Sequence, residues 1–367
     1  MLLVFCVSTN ETLLSPLFAQ IDSLPHLEYI SKMLRDSIHK LIERKDLSKE
    51  ESYEAMTEIM SGNASEPLIA SFLTALRMKG ETVGEIAGCA QAMREKATRI
   101  KTKHSDVIDT CGTGGDSLGT FNISTAAALI ASGAGAVVAK HGNRAISSRC
   151  GSADVLKALG VNIETPKEKV EKCLDEIGIA FLFAPMMHGA MKYAAPVRRE
   201  LGMRTVFNIL GPLTNPAGAK RQVIGVFHPR LTEPMARVLL DLGSDRAMVV
   251  HGAGGLDEIS TFGKTTISEL KDGNVKTYEF HHATVGIPAG ALKDFAGGDA
   301  ELNAKILRDI LDGKKNPQRD IAVLNAGAAL YVSGKGSTFL EGIRLAEDSI
   351  DSQRAKKKLQ ALIDSTN

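Results

Sequence analysis

DTCGTGGDSLGTFNISTAAALIASGAGAVVAKHGNRAISSRCGSAD, residues 109–154, decides how the rest of the chain is read. An apolar lead-in at Val107 and Ile108 runs into a glycine cluster, Gly112, Gly114 and Gly115. Asn122-Ile123-Ser124-Thr125 then heads an alanine-rich run that ends at Gly133 and Gly135, the pattern of a strand, a loop and a helix start. A short strand at 136–139 follows, and after it Lys140-His141-Gly142-Asn143-Arg144 with Ser147 and Ser148. Two loops able to meet phosphate therefore leave two consecutive strands. Glycine lets the backbone approach an anion with no Cβ in the way, and its amides can converge on one. If Asn122 caps the helix, the amides of Ser124 and Thr125 stand unpaired where the helix dipole favours negative charge. Alone, the first loop also fits an ordinary strand-to-helix turn. The second, with two cations and several hydrogen-bonding side chains, moves the reading to anion binding.

Working outward, the pattern from Met33 to about Arg99 is helical, with caps and breaks at Leu47-Ser48-Lys49-Glu50-Glu51 and Asn63-Ala64-Ser65-Glu66. Its segment 67–78 is apolar on more than one face, which suits either the core of a small domain or a subunit interface. After Lys103 the period changes. Short apolar runs at 107–108, 136–139, 179–183, 223–227 and 247–250 alternate with helical segments at 122–132, 152–159, 166–176 and 231–242. Strand-like alternation covers 264–280, and 299–363 reads as successive helices. The expected fold is α/β: a small all-helical domain, 33–103, joined by helices near 190–210, and a larger α/β domain, 104–367, whose mostly parallel central sheet is flanked by helices. Ligands of such sheets bind beyond the carboxyl ends of the strands, where both loops emerge. Residues 1–32 are expected to be a loosely ordered extension: Leu2 to Val7 is too short for a span, and no Lys or Arg precedes Lys32.

Composition narrows the function. The 367 residues carry a formal charge of +1, so no global field recruits nucleic acid or an anionic membrane, and neither partner is expected. Cys6, Cys89, Cys111, Cys150 and Cys173 form no C-x-x-C pair, which points to a reduced cytoplasmic protein with neither disulfide frame nor zinc site. Two nucleotide motifs fail. A dinucleotide fingerprint would need glycine at Ser117, and a Walker loop ending at Gly263-Lys264-Thr265 would need it at Glu258.

Together, Gly112-Thr113-Gly114-Gly115-Asp116, Asn122-Ile123-Ser124-Thr125, Lys140 to Arg144 with Gly151-Ser152-Ala153-Asp154, Asn208 to Pro216 (NILGPLTNP) and Asp257-Glu258 resemble the anthranilate phosphoribosyltransferase family of tryptophan biosynthesis. The likeness runs from about Met33 to the C-terminus; residues 1–32 have no counterpart in the family pattern. It implies that the amine of anthranilate attacks C1 of phosphoribosyl pyrophosphate and expels pyrophosphate. By the same resemblance, phosphoribosyl pyrophosphate would be held by Gly112, Gly115, Asp116, Thr120, Asn122, Ile123, Ser124 and Thr125 from the first loop. From the second it would meet Lys140, His141, Gly142, Asn143, Arg144, Ala145, Ile146, Ser147, Ser148 and Ser152. Gly112, Asn143 and Arg198 would face anthranilate, and Ser124, Asp257 and Glu258 would hold Mg2+. A homodimer through the helical domain is also implied.

The residues accommodate these roles. Hard Mg2+ prefers the carboxylate and hydroxyl oxygens that Asp257, Glu258 and Ser124 offer, although adjacent carboxylates are by default a solvated pair. A carboxylate substrate calls for a bidentate arginine, but only the resemblance selects Arg198 over Arg199 and Arg204. No side chain stands out as an obligatory general base, so catalysis is expected from positioning and electrostatics, with His141 the nearest candidate and His188 and His251 read as packing or capping groups. Two rivals remain at this level: a pyrimidine nucleoside phosphorylase, tested by phosphorolysis of thymidine or uridine, and a silent relative that binds nucleic acid, for which no basic face is evident.

Overall fold

A computed structural model describes residues 24–114, 118–145 and 149–367, with side chains from residue 32. Among the described residues the chain opens with helices α1 (Leu24–Ile42), α2 (Lys49–Met60), α3 (Glu66–Lys79) and α4 (Val83–Lys96). Helix α1 starts upstream of Met33, so the boundary expected there falls inside a helix; Pro25 in the first turn sits where no amide bond is lost. Residues 1–23 of the expected extension lie outside the described residues. Two starts are fixed by reciprocal caps. Ser48 Oγ accepts the Glu51 amide while Glu51 Oε2 accepts that of Ser48, and Thr82 and Glu85 repeat the arrangement on α4. Glu85 is fully buried, and its carboxylate also takes Leu47 N at 2.9 Å and Lys79 Nζ at 3.0 Å, locking α3 and α4 to the loop before α2.

The α/β part follows. Strand β1 (Ile108–Gly112) leads to α5 (Ile123–Gly133), β2 (Val138–Gly142), α6 (Ser152–Ala158), α7 (Lys167–Glu176) and β3 (Ile179–Phe183). Short helices α8 (Ala184–Met187), α9 (Ala195–Leu201) and α10 (Phe207–Leu210) carry the chain back to β4 (Arg221–Gly225), α11 (Thr232–Asp241) and β5 (Arg246–His251). A hairpin, β6 (Lys264–Lys271) and β7 (Asn274–His281), precedes α12 (Ala300–Leu311), α13 (Pro317–Ser333), α14 (Phe339–Asp351) and α15 (Arg354–Thr366). The described strands form one sheet in the order β3-β2-β1-β4-β5-β6-β7, parallel from β3 through β5 and antiparallel for the hairpin.

Alternate residues of the central strands feed opposite cores. Val223, Met248 and Val250 pack with α5 and α13, whereas Ile224, Ala247 and Val249 pack with α11 and the N-terminal helices. The same second core takes in Ala194, Val197, Phe207 and Leu210, so the returning helices α9 and α10 share it with α2 to α4. Arg94 of α4 adds a polar tie, donating from Nε to Leu213 O at 2.6 Å.

Strand positions differ from the sequence reading in one consequential way. β1 runs on to Gly112 because its whole length pairs with β4, and β2 covers 138–142 because it pairs in full with β3. Lys140, His141 and Gly142 are therefore strand residues; a lysine was read as loop because polarity usually marks exposure, but Lys140 is 3% exposed.

Candidate active site

The carboxyl ends of β1, β2, β4 and β5 meet where two acidic residues reach back. After β5 the chain turns through a short 3-10 segment, 253–255, and brings Asp257 and Glu258 over the end of β1. Asp257 Oδ2 accepts Gly114 N at 3.2 Å, and Glu258 Oε1 accepts Ser124 N at 3.1 Å. The approach is close. A Cβ on Gly112 would lie 2.5 Å from Asp257 Oδ2 and would displace that carboxylate, and one on Gly225 would lie 1.5 Å from the backbone Asp257 O, so at the end of β4 glycine is a steric requirement. Asn325 of α13 holds the next residue, accepting Ile259 N at 2.9 Å and donating to Ile259 O at 3.0 Å.

Asn122 occupies the cap position of α5, yet its side chain does not cap. Its Nδ2 donates to Cys150 O at 3.1 Å and its Oδ1 accepts Asn303 Nδ2 at 3.0 Å, so it ties the helix start to the second loop and to α12. The open amide of Ser124 is met by Glu258 instead, a carboxylate at a helix N-terminus. Ser124 and Lys140 converge from the other side: Lys140 Nζ donates to Thr110 O at 2.6 Å and lies 3.4 Å from Ser124 Oγ.

Beneath them Asp109 is fully buried. Its Oδ1 accepts His141 N and its Oδ2 accepts Asn215 Nδ2, two hydrogen bonds that favour the carboxylate form. Burial pushes Asp109 up and Lys140 down, and the attraction between the two opposes both shifts. Cys111 is pushed well up, by burial and then by Asp109, which makes it an inert thiol. Burial, followed by neighbouring His188, pushes His141 down to about 3; burial pushes His188 down to about 4. Their ring centroids are 5.0 Å apart, and both rings are neutral at physiological pH.

The second loop is organised by Asp154. Its Oδ2 accepts the amides of Ala145 and Gly151 at 3.0 and 2.9 Å, while Oδ1 lies 3.5 Å from Arg144 Nη1. Arg144 also approaches Glu164 at 3.4 Å and lies over the Phe183 ring. Asn143 is exposed, and its carbonyl accepts Ser152 Oγ at 3.3 Å.

The chain matches the model described as "Glycosyl transferase family, a/b domain" over residues 104–356 and "Glycosyl transferase family, helical bundle domain" over 35–97. It is 54% identical over 335 residues, 91% of this chain and 97% of that protein, to anthranilate phosphoribosyltransferase of Acetivibrio thermocellus. The chain belongs to the anthranilate phosphoribosyltransferase family. The crystal structure of the Thermus thermophilus member superposes with a TM-score of 0.86 at 44% identity, covering 90% of this chain and 99% of that one. The Saccharomyces cerevisiae member, solved in complex with PRPP and Mg, gives 0.85 at 31% identity over 92% and 99% of the two chains. The architecture of helical part and mostly parallel sheet is thus the one these relatives have.

With the family in hand, the expected site residues divide by position. Gly112, Ser124, Lys140, Asp257 and Glu258 come together at the ends of β1 and β2. Gly142, Asn143, Arg144, Ala145 and Ser152 form a second group, joined to the first through Asn122 and Cys150. Thr120 forms an antiparallel bridge with Ala296 beside them. Ile123 and Thr125 turn their side chains into the core, Thr125 Oγ1 with no hydrogen-bond partner among the described residues. Gly115, Asp116, Ile146, Ser147 and Ser148 lie outside the described residues. Arg198 is half-buried on α9 with its guanidinium 5.1 Å from the Phe207 ring centre, whereas Arg199 and Arg204 are exposed; burial lowers the Arg198 pKa. Sequence reading missed Asp109, Asn215, Asn303 and Asn325. Only Asp109 in β1 and Asn325 in α13 carried a signal, a polar residue inside a largely apolar element.

Proposed function

We propose that the chain transfers the phosphoribosyl group of phosphoribosyl pyrophosphate to the amine of anthranilate, in the tryptophan pathway. The observation that carries this is the meeting of the β1 loop amides, the start of α5, Lys140 and the Asp257-Glu258 pair at one edge of the sheet. In the reaction the anthranilate nitrogen bonds to C1 of the ribose, the bond from C1 to the pyrophosphate oxygen breaks, and a proton leaves nitrogen. The products are N-(5-phosphoribosyl)anthranilate and pyrophosphate.

Gly114 N, Ser124 N and the Lys140 ammonium lie where the leaving diphosphate would be met, and the amides would turn to it once Asp257 and Glu258 hold Mg2+. Ser124, Asp257 and Glu258 present hard oxygens only, a donor set that fits Mg2+, and these residues would hold it. When bound, the ion would neutralise charge developing on the leaving group. Arg198, desolvated over Phe207, is suited to the carboxylate of anthranilate, and the family resemblance assigns Gly112 and Asn143 to the same substrate. His141 and His188 are neutral and buried, so we assign rate enhancement to positioning and electrostatics rather than to a general base.

Loss of anthranilate fluorescence on adding phosphoribosyl pyrophosphate and Mg2+ tests the reading. No loss, with phosphorolysis of thymidine or uridine instead, would replace it by the nucleoside phosphorylase reaction. We further propose domains at 33–103 and 104–367 with the former completed by helices near 190–210, and a homodimer through the helical part. Ile42 and Met78, large apolar side chains 66% and 69% exposed on α1 and α3, support the dimer, and sedimentation of Met78→Glu tests it. We place the protein in the cytoplasm: Cys89, Cys111, Cys150 and Cys173 are free, as a reducing compartment keeps them. Among the described residues no helix is long and apolar enough to cross a membrane.

A further inference from the structure

Beyond its first residue, the seam between β1 and β2 is closed by side chains. β1 pairs with β4 from Ile108 opposite Arg221 to Gly112 opposite Gly225, but its register with β2 is Ile108 opposite Val138 alone. Past that point Asp109 Oδ1 takes the His141 amide at 3.1 Å, and Lys140 Nζ donates to Thr110 O at 2.6 Å. Asn215 completes the closure, donating from Nδ2 to Ala139 O on β2 and to Asp109 Oδ2 on β1, each at 2.8 Å. Asp109 is fully buried and Asn215 is 5% exposed, and both spend their polar atoms on partners within the protein.

A backbone ladder would hold the strands about 4.8 Å apart. A carboxylate and a carboxamide interposed between them need a wider gap, and that gap lets the Lys140 ammonium reach both Thr110 O and the Ser124 hydroxyl. Asn215 is itself fixed from the helical side. Flanking carbonyls Leu213 O and Pro216 O accept Arg94 Nε at 2.6 Å and Ile100 N at 3.0 Å. The seam is therefore pinned by the segment that links the helices to the sheet.

We propose that Asp109 and Asn215 are positioning residues that set the separation of the β1 and β2 ends, and so the fit of both phosphate-binding loops to one diphosphate, without touching substrate. The kinetic part of the test rests on the transfer reaction proposed above; the binding part does not. Asn215→Ala removes both donors, and Asn215→Ser is a milder variant should the first not fold. Leu41→Ala, in the core of the N-terminal helices, supplies a comparison of similar stability loss. Magnesium pyrophosphate is titrated into each full-length protein by calorimetry. Because an error of about 1 Å in placement costs about 100-fold in rate, binding at least about tenfold weaker than in Leu41→Ala is expected. The KM for phosphoribosyl pyrophosphate should rise with kcat falling, to a greater extent than in Leu41→Ala. Pyrophosphate affinity equal to that of Leu41→Ala, or a KM for phosphoribosyl pyrophosphate equal to that of Leu41→Ala, overturns the proposal. If the unmodified protein binds pyrophosphate without consuming anthranilate, the transfer reading fails while the binding comparison still decides the role of Asn215.

Discussion

Gly225→Ala is the sharpest single test of how the acidic pair is placed. Gly225 ends β4, and a Cβ there would lie 1.5 Å from Asp257 O and 2.4 Å from its carbonyl carbon. Ordinary contact begins at 3.4 Å, so the Asp257 backbone must retreat by about 1.9 Å; the obstacle is backbone, and no rotamer change removes it. Overpacking of this kind costs about 1–3 kcal/mol, or roughly 1–4 °C in Tm for a chain of this length. The retreat carries the Asp257 carboxylate away from Gly114 N and drags Glu258 from Ser124 N. With about 100-fold lost per 1 Å of misplacement, kcat/KM should fall at least about 100-fold, about 2.7 kcal/mol of barrier. Anthranilate fluorescence decay against Mg2+ concentration measures this, with Gly189→Ala as control because a Cβ there meets nothing within 4 Å. A Gly225→Ala protein with kcat/KM within about threefold of the parent and an unchanged Mg2+ requirement would refute the placement of Asp257 and Glu258 in the site.

Three further outcomes are expected. Asp257→Asn and Glu258→Gln should each raise the Mg2+ concentration for half-maximal rate by about tenfold or more, and Glu258→Gln should lose only about 0.3–1 kcal/mol of stability, the worth of a charge at a helix N-terminus. Arg198→Lys keeps the charge but loses the planar fork, so the KM for anthranilate should rise about tenfold while that for phosphoribosyl pyrophosphate holds. Burial raises Glu58 from 4.5 to about 7, so the folded state holds its proton more tightly than the unfolded chain. The stability this gives is full below pH 4.5 and is lost as pH rises through 7; Glu58→Gln should match the parent in Tm near pH 4.5 and exceed it at pH 8. His141 and His188 act in the opposite sense, losing stability as pH falls below 6.5, but do so in both proteins and cancel in the comparison.

The alternation of strands and helices was legible because each central strand is short, apolar and bounded by glycine or polar residues. Even the last four helices, α12 to α15, follow from their apolar spacing. The Asp257-Glu258 pair could be put at the sheet edge from its place after β5. Lys140 could not be put inside a strand, because its burial depends on Asp109, a residue far away in sequence that itself looks like an exposed strand-end acid. The same holds for the asparagines. Asn215, Asn303 and Asn325 each bond backbone or side chains of a remote segment, and no local pattern says which segment such a carboxamide will meet. Thr125 shows the converse: Ser124 beside it faces the site, but the helix period turns the Thr125 side chain into the core.

The charges around the site also constrain what it can take. Each expected cation is already balanced or set aside: Lys140 by Asp109, Arg144 by Asp154 and Glu164, and Arg198 over Phe207. Two carboxylates then stand among the very amides, Gly114 N and Ser124 N, that would otherwise greet an anion. A bare diphosphate brought there would meet Asp257 and Glu258 with few free positive charges to offset them, and repulsion at such distances costs several kcal/mol in a partly buried setting. A diphosphate whose charge is largely neutralised by a divalent cation meets no such barrier, and the carboxylates that repelled the bare anion become favourable partners. The acidic pair therefore selects the metal-bound form of the substrate, and the dependence of rate on Mg2+ should be steepest where phosphoribosyl pyrophosphate is in excess over the metal.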